Sequence, residues 1–440
     1  MRMYLSEHGM LPRRDSVRIE ELVNYFIYGY EGPDGDAPFA AHIEVAECPW
    51  SPQHRLVRIG IMGRQIEPAA RPSSNLVFLL DVSGSMQPEN ELPLLKRGVG
   101  MLVDQLGEND RVAIVVYAGA AGMVLDSTTG DKKSVMRESL DRLHAGGSTN
   151  GGDGIRLAYQ TALDHSIVGG VNRVILYTDG DFNVGTTGTD ELVHLAETNA
   201  KSDIFLSVLG FGMGNHNDSM LEQISNRGNG NYAFIDTDSE ARKVLVEQIQ
   251  GTLVTIAKDV KIQVDFNPRE VAQYRLIGYE NRVMAAQDFN DDTKDAGEIG
   301  AGHTVTALYE IVPPGVSSDV EPPSTDESKY QSSSQPTGAA ESGELLTLKM
   351  RYKQPDGDTS ALLSFPARDE EKGFGEASSD FRFAAAVASF GMLLRDSQYK
   401  GNATYAAVLE IAQASAGVDE SGYRGEFLEL VPQAKTLVNQ

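Results

Sequence analysis

The sequence predicts an α/β fold with a doubly wound, mostly parallel sheet, joined to an all-β sandwich and a set of C-terminal helices. Three observations carry that prediction. From Asn75 to about Val260, short apolar runs alternate with segments whose apolar residues recur at helical spacing. Such alternation implies a parallel sheet covered on both faces. After Val260 strand patterns take over, and a helical stripe returns at Phe383, Val387, Phe390 and Leu394.

In chain order, residues 16–30 read as a helix with Val17, Ile19, Leu22, Val23 and Phe26 on one side. Ala41–Ala46 and Leu56–Ile61 alternate and read as strands. Pro68 and Pro72 mark a linker. Strands of the α/β unit are expected at Leu76–Leu80, Val112–Tyr117, Met123–Leu125, Val174–Tyr177, Ile204–Leu209 and Tyr232–Ile235. Met123–Leu125 follows its predecessor too closely for a crossover helix, so it is expected as an antiparallel edge strand. Helices are expected on the stripes Leu95-Val99-Leu102-Leu106, Met136-Leu140-Leu143, Ile155-Ala158-Tyr159-Ala162 and Leu245-Ile249-Leu253-Ile256. Ile262–Phe266, Tyr274–Tyr279, Thr304–Ile311, Leu345–Tyr352 and Ala361–Phe365 read as sandwich strands, and about 403–415 as a further helix. The two early strands lack a local partner and are assigned to the sandwich, which makes the α/β unit an insert between its halves. The expected domains are therefore 1–72, 73–258, 259–366 and 367–440. Within the third, residues 313–343 are rich in Pro, Ser and Gly and read as a disordered excursion.

Composition narrows the function classes. The 440 residues suffice for two or three domains, and 41% apolar with 23% charged residues indicates folded globular units. A formal net charge of −25 argues against binding a phosphate backbone, which requires clustered Lys and Arg. It is compatible with simple solubility or with attraction of cations. The single cysteine, Cys48, leaves no internal disulfide and no Cys-based zinc site. No apolar run approaches the roughly 18 residues of a membrane span, and residues 1–20 carry no apolar segment of a secretion signal.

The chemistry concentrates in three segments expected on one rim. Asp81-Val82-Ser83-Gly84-Ser85 leaves the first α/β strand. Gly146-Gly147-Ser148-Thr149-Asn150-Gly151-Gly152 precedes a helix. Thr178-Asp179-Gly180 leaves a later strand. In open α/β sheets, ligands bind beyond the carboxyl ends of strands where strand order reverses. Oxygen side chains at i, i+2 and i+4 can point at one spot and suit a hard cation such as Mg²⁺. A metal-free reading also stands, since Asp-x-Ser after a strand forms Asx turns and helix caps.

Asp81, Ser83, Ser85, Thr149 and Asp179, in that order and on that scaffold, resemble the metal-ion-dependent adhesion site of the von Willebrand factor type A domain. The resemblance implies a divalent cation, Mg²⁺ with Mn²⁺ or Ca²⁺ as alternatives, and a protein partner presenting an Asp or Glu that completes its coordination. It also implies that Asp179 moves between direct and water-mediated contact, and that helical residues 239–258 either shift with that change or simply cover the sheet. Met86, Asn150, Asp181, Phe182 and Asn183 flank the site and are candidate partner contacts, or ordinary loop residues. Beyond this domain, nearly the whole chain resembles a bacterial group of larger von Willebrand A proteins, the YfbK-like family. The matching stretches include Val17–Phe26, Cys48-Pro49-Trp50, Val208–Gly212 and Leu276–Arg282. Its members usually begin earlier, often with an export signal. The resemblance thus implies a cell-envelope setting and a start inside the N-terminal module.

A second acidic cluster, Asp288, Asn290, Asp292 and Asp295, has the spacing of a Ca²⁺ loop but lacks the glycine at position six and the glutamate at twelve. A solvated acidic loop is the competing reading. Catalysis finds little support: there is no His-Glu-x-x-His, no Gly-x-Ser-x-Gly and no phosphate-binding loop. Ser83 stands where aspartyl-phosphate sites carry a second acid. A binding module is expected and not an enzyme, with an ATPase-recruiting scaffold or a metal-dependent hydrolase as the rivals.

Overall fold

The computed structural model describes residues 1–67, 70–180, 188–212, 218–279, 286–291, 296–316, 336–355, 357 and 359–438. After a short helix α1 (Ile19–Asn24), strands β1 (Phe39–Glu47) and β2 (Arg55–Gly63) form an antiparallel hairpin. The α/β unit follows as β3 (Ser74–Asp81), α2 (Leu92–Asp104), β4 (Arg111–Tyr117), β5 (Ala121–Thr129), α3 (Lys133–Asp141), α4 (Gly151–Asp164), β6 (Val171–Thr178), α5 (Thr189–Ala200), β7 (Phe205–Phe211), α6 (Asp218–Arg227), β8 (Tyr232–Ile235), α7 (Asp238–Arg242) and α8 (Ile249–Leu253). Its sheet runs β5-β4-β3-β6-β7-β8, parallel throughout except for β5, which lies antiparallel on the edge.

Every residue of β3 is buried because both faces of the sheet are covered. Leu76, Phe78 and Leu80 enter one core with Leu95, Val99 and Leu102 of α2. Val77 and Leu79 enter the other with Ile155, Ala158 and Ala162 of α4. Burial of each such large side chain contributes about 1.5–3 kcal/mol, which fixes β3 as the centre of the sheet.

Strands β9 (Thr255–Phe266), β10 (Gln273–Leu276), β11 (Gly297–Gly300), β12 (Thr304–Val312), β13 (Leu346–Lys353) and β14 (Ser360–Ala367) complete two further sheets, ordered β1-β2-β12-β10 and β11-β9-β13-β14. The first draws strands from both sides of the α/β unit, with Ile61 opposite Val305. Aromatic contacts join the two sheets. Phe39 meets Tyr352 edge-on at 5.4 Å, and Phe266 stacks on Tyr274 at 4.4 Å. The outer face of the first sheet, at Ala46, Leu56 and Leu308, packs on α1 and on α9 (Ser379–Arg395), α10 (Tyr405–Ser415) and α11 (Tyr423–Val438). The Ser378 hydroxyl caps α9 by accepting from the Phe381 N–H at 3.1 Å.

The fold class is the one the sequence predicts, with local differences. The first helix stops at Asn24 because that side chain pairs with the β12 backbone, donating to Thr306 O at 2.9 Å and accepting from Thr306 N at 2.7 Å. Strand β10 ends at Leu276, since Gly278 and Tyr279 both take positive φ. The stripe through Ile256 is not one helix. A π-helical turn at Lys243–Glu247 separates α7 from α8, and Ile256 already belongs to β9. Of the excursion 313–343, residues 317–335 lie outside the described part, and Gly338–Glu341 form a 3₁₀ turn.

Candidate metal site at the sheet rim

Strands β3 and β6 are neighbours, with Leu80 opposite Tyr177. The chain turns towards β4 on one side of β3 and reaches β6 on the other, so strand order reverses between them. Asp81 closes β3 and Asp179 follows β6 directly, so the two acids flank the point at which ligands bind in open α/β sheets. Both are buried, at 0% and 3% exposure.

The loop after β3 is shaped by Asp81. Its Oδ1 accepts the Ser83 N–H at 2.8 Å, an Asx turn that brings the Ser83 and Ser85 hydroxyls to 3.0 Å from each other. Ser83 is buried and Ser85 exposed. The segment before α4 is tied to this loop through two backbone bonds, Gly146 N to Val82 O at 2.8 Å and Gly84 N to Gly147 O at 3.1 Å. Gly147 holds φ +86°, a conformation that a side chain would strain, and Thr149 follows two residues later. Thr149 is half-buried at the start of α4.

The remaining oxygen of Asp81, Oδ2, is buried and accepts no hydrogen bond among the described residues. Such a group is costly unless something positive or protic reaches it. Burial pushes the Asp81 carboxyl up to about 6; hydrogen bonding from Ser83 and from the Tyr117 hydroxyl opposes this, and the negative charge of Asp179 adds to it. The buried Tyr117 hydroxyl lies near the same carboxylate and Thr178, and burial raises that phenol well above its ordinary range. No three acidic, histidine or cysteine side chains converge on one point among the described residues. A cation here would thus depend on hydroxyl oxygens, which Ser83 and Ser85 supply as a pair and Thr149 carries on the segment tied to their loop. The donor set, all oxygen, fits Mg²⁺ chemistry.

The flanking residues separate. Met86 is fully buried in the core under the loop, because the 3₁₀ turn Gly84–Met86 directs it inward, and it is withdrawn as a partner contact. Asn150 lies half-buried at the rim, its amide donating to Asp153 at 2.9 Å. Asp181, Phe182 and Asn183 lie outside the described residues. In the second acidic cluster, Asp288 and Asn290 sit on a 3₁₀ turn, and Asn290 Oδ1 accepts from Arg351 at 3.0 Å. Asp292 and Asp295 fall outside the described part. An arginine in contact with Asn290 supports the reading as a solvated loop. Two residues near the site escape sequence reasoning. Tyr117 reads only as a strand residue. Glu91, buried on the same rim, looks like its exposed neighbour Glu89.

Residues 75–252 match the model of the von Willebrand factor type A domain, and residues 251–437 match that of the YfbK C-terminal region, described as an uncharacterized protein. Residues 1–58 match a further von Willebrand factor model. The chain is 41% identical to the uncharacterized protein YfbK of Escherichia coli K12, over 99% of this chain and 75% of that protein. It is 29% identical to the uncharacterized protein sll0103 of Synechocystis over 42% of this chain and 43% of that one. Among solved structures, a von Willebrand factor type A protein from Catenulispora acidiphila is similar at a TM-score of 0.48 and 16% identity, covering 92% of this chain and 91% of that chain.

Proposed function

This chain belongs to the YfbK family of von Willebrand factor type A proteins, and from that premise we propose that it is a metal-ion-dependent protein-binding module of the bacterial cell envelope. The observation that carries the reading is Asp81 Oδ2, a buried carboxylate oxygen that accepts no hydrogen bond among the described residues, on the loop that pairs two serine hydroxyls.

In this reading Asp81, Ser83, Ser85, Thr149 and Asp179 hold Mg²⁺, with Mn²⁺ or Ca²⁺ able to substitute. When bound, the cation supplies an open position for a carboxylate from a partner protein. Ser83 and Ser85 offer neutral lone pairs, so they hold charge without cancelling it. Asp81 keeps the loop folded through its Oδ1 and leaves Oδ2 to face the cation. Asp179 supplies the second negative charge. With two acids and three hydroxyls, the site favours an external Asp or Glu. The envelope assignment rests on the family resemblance. Among the described residues no helix is long and apolar enough to cross a membrane.

The test is thermal unfolding of the full chain in Mg²⁺ and in EDTA. Wild type is expected to gain stability with Mg²⁺, and Asp81→Ala to lose that gain entirely; an equal gain in both proteins would remove the site assignment. Capture from envelope extracts in Mg²⁺ but not EDTA, blocked by excess acetate, is expected of a carboxylate-bearing partner. Metal-dependent hydrolysis of a phosphoester or peptide that disappears in Asp179→Ala would replace the binding role with an enzymatic one.

A further inference from the structure

Glu91 is explained neither by the fold nor by the five-residue site. It is 7% exposed, and its Oε2 accepts no hydrogen bond among the described residues. It stands at the N-terminal boundary of α2 but makes no side-chain cap. Its backbone is anchored, donating to Pro88 O at 3.0 Å and accepting from Leu95 N at 2.8 Å, so the side chain has a fixed origin.

That side chain reaches across the rim. Its carboxyl lies against Gly212, where an added Cβ would come within 2.3 Å of Oε1. Gly212 directly follows β7, and β7 pairs with β6, Gly210 opposite Thr178. Glu91 therefore extends from the β3–α2 connection to the end of β7, past the end of β6 that carries Asp179. Asp179 and Asp81 are the charges that act on it, and both are negative. An unpaired acid buried beside two others is tolerated only where a positive charge compensates it. A structural glutamate would have found an arginine or a cap, as Glu310 does with Arg275 and Trp50 in the sandwich.

We propose that Glu91 is a sixth residue of the cation site, an outer carboxylate whose charge helps to hold the divalent ion. This rests on the cation-site reading above. Because no three acids converge on one point among the described residues, Glu91 acts as a positioning residue, through its field and intervening water. The site then carries three acids instead of two. It binds a divalent cation more tightly than the five residues alone would, and leaves less positive charge for an external carboxylate.

The experiment is calorimetric titration of the full chain with MgCl₂ and with MnCl₂. Glu91→Gln is expected to weaken cation affinity about tenfold, to keep or raise the melting temperature in EDTA, and to tighten acetate binding at saturating cation. Glu91→Asp, which retains the charge, is expected to stay within about threefold of wild type. Wild-type affinity in Glu91→Gln, with binding abolished in Asp81→Ala, would refute the role of Glu91 and leave the site intact. Equal losses in Glu91→Gln and Glu91→Asp would refute it too, by pointing to packing. Unchanged binding in Asp81→Ala would instead remove the site itself.

Discussion

Two buried polar clusters on the α/β unit differ in one respect. At the rim, Asp81, Asp179 and Glu91 gather negative charge, and Asp81 and Glu91 each leave an oxygen unfilled among the described residues. Burial, with the other acids of the rim, pushes Asp81 up to about 6 and Glu91 up to about 7. Further along the same edge of the sheet, the segment from Asp236 to Glu247, which follows β8, meets the chain's first residues and α11. There Arg2 binds Glu426 and, at 2.6 Å, Asp236. Tyr25 donates to Glu240 at 2.9 Å, and Lys243 donates to Tyr25 O at 2.6 Å while sitting over the Tyr25 ring. Among the described residues the second cluster is satisfied and the rim is not. The satisfied one is architecture, tying α7 and the π-helical turn after it to the helical layer. The rim is where the proposed cation is expected to gain most.

That contrast can be broken at its strongest point. Arg2→Ala leaves Asp236, Glu240 and Glu426 without their shared cation and is expected to cost about 3 kcal/mol or more, measured by urea unfolding. Cation affinity at the rim is expected to stay unchanged; a parallel loss would mean that the two clusters communicate.

The pH dependence probes the rim. Asp81 and Glu91 have folded-state values above their unfolded ones, so between about pH 4 and pH 7 the folded protein holds protons that the unfolded chain has lost. Stability from these groups is therefore present at low pH and falls as pH rises through about 6 and 7. In EDTA the Asp81 contribution is about 3 kcal/mol, read as the difference in pH dependence between wild type and Asp81→Asn. Saturating Mg²⁺ is expected to flatten the wild-type slope, because the bound charge replaces the protons.

A smaller effect sharpens the same point. Asp81→Asn in EDTA at pH 7.5 is expected to raise stability by about 1 kcal/mol, since it removes a buried charge and keeps the Oδ1 acceptor. The same variant is expected to lose Mg²⁺-dependent stabilisation. Smallest of all, Tyr423→Phe removes the 3.0 Å hydrogen bond to Glu247 in the satisfied cluster. It is expected to cost about 0.5–1 kcal/mol in thermal unfolding, whatever the cation.

Much of this was legible in sequence because local pattern and tertiary fate agree. Leu76–Leu80 reads as a buried strand and is one. The short gap before Met123 forces an antiparallel edge, and β5 supplies it. Asp81, Ser83, Ser85 and Asp179 reach the same rim because strand ends and turn chemistry are local properties. What escaped depends on distant partners. Nothing in Pro88-Glu89-Asn90-Glu91 distinguishes the buried glutamate from the exposed one; its burial comes from Gly212, far along the chain. Met86 reads as a loop residue until the 3₁₀ turn rotates it into the core. Ile256 continues a helical spacing but pairs into β9 beside β11, whose short Gly-rich strand gave no pattern to find. The C-terminal part reads as helical, but α11, with Pro432 inside it, offers no stripe that places it.

The pairing of β2 with β12 has a consequence for how the chain is made. Met62 must wait for Thr304 before the sheet can close, and the whole α/β unit is synthesised in between. For a flexible chain, closing so long a loop carries a large entropic cost and slows folding. Once folded, the insert acts as a staple. Arg64 O accepts from Gly302 N at 3.1 Å and Val254 O from Ala301 N at 2.8 Å, so both exits of the insert are held against the β11–β12 turn. The insert that interrupts the sandwich in sequence thus holds its halves together once folded, and the sandwich is expected to close only after the insert has formed.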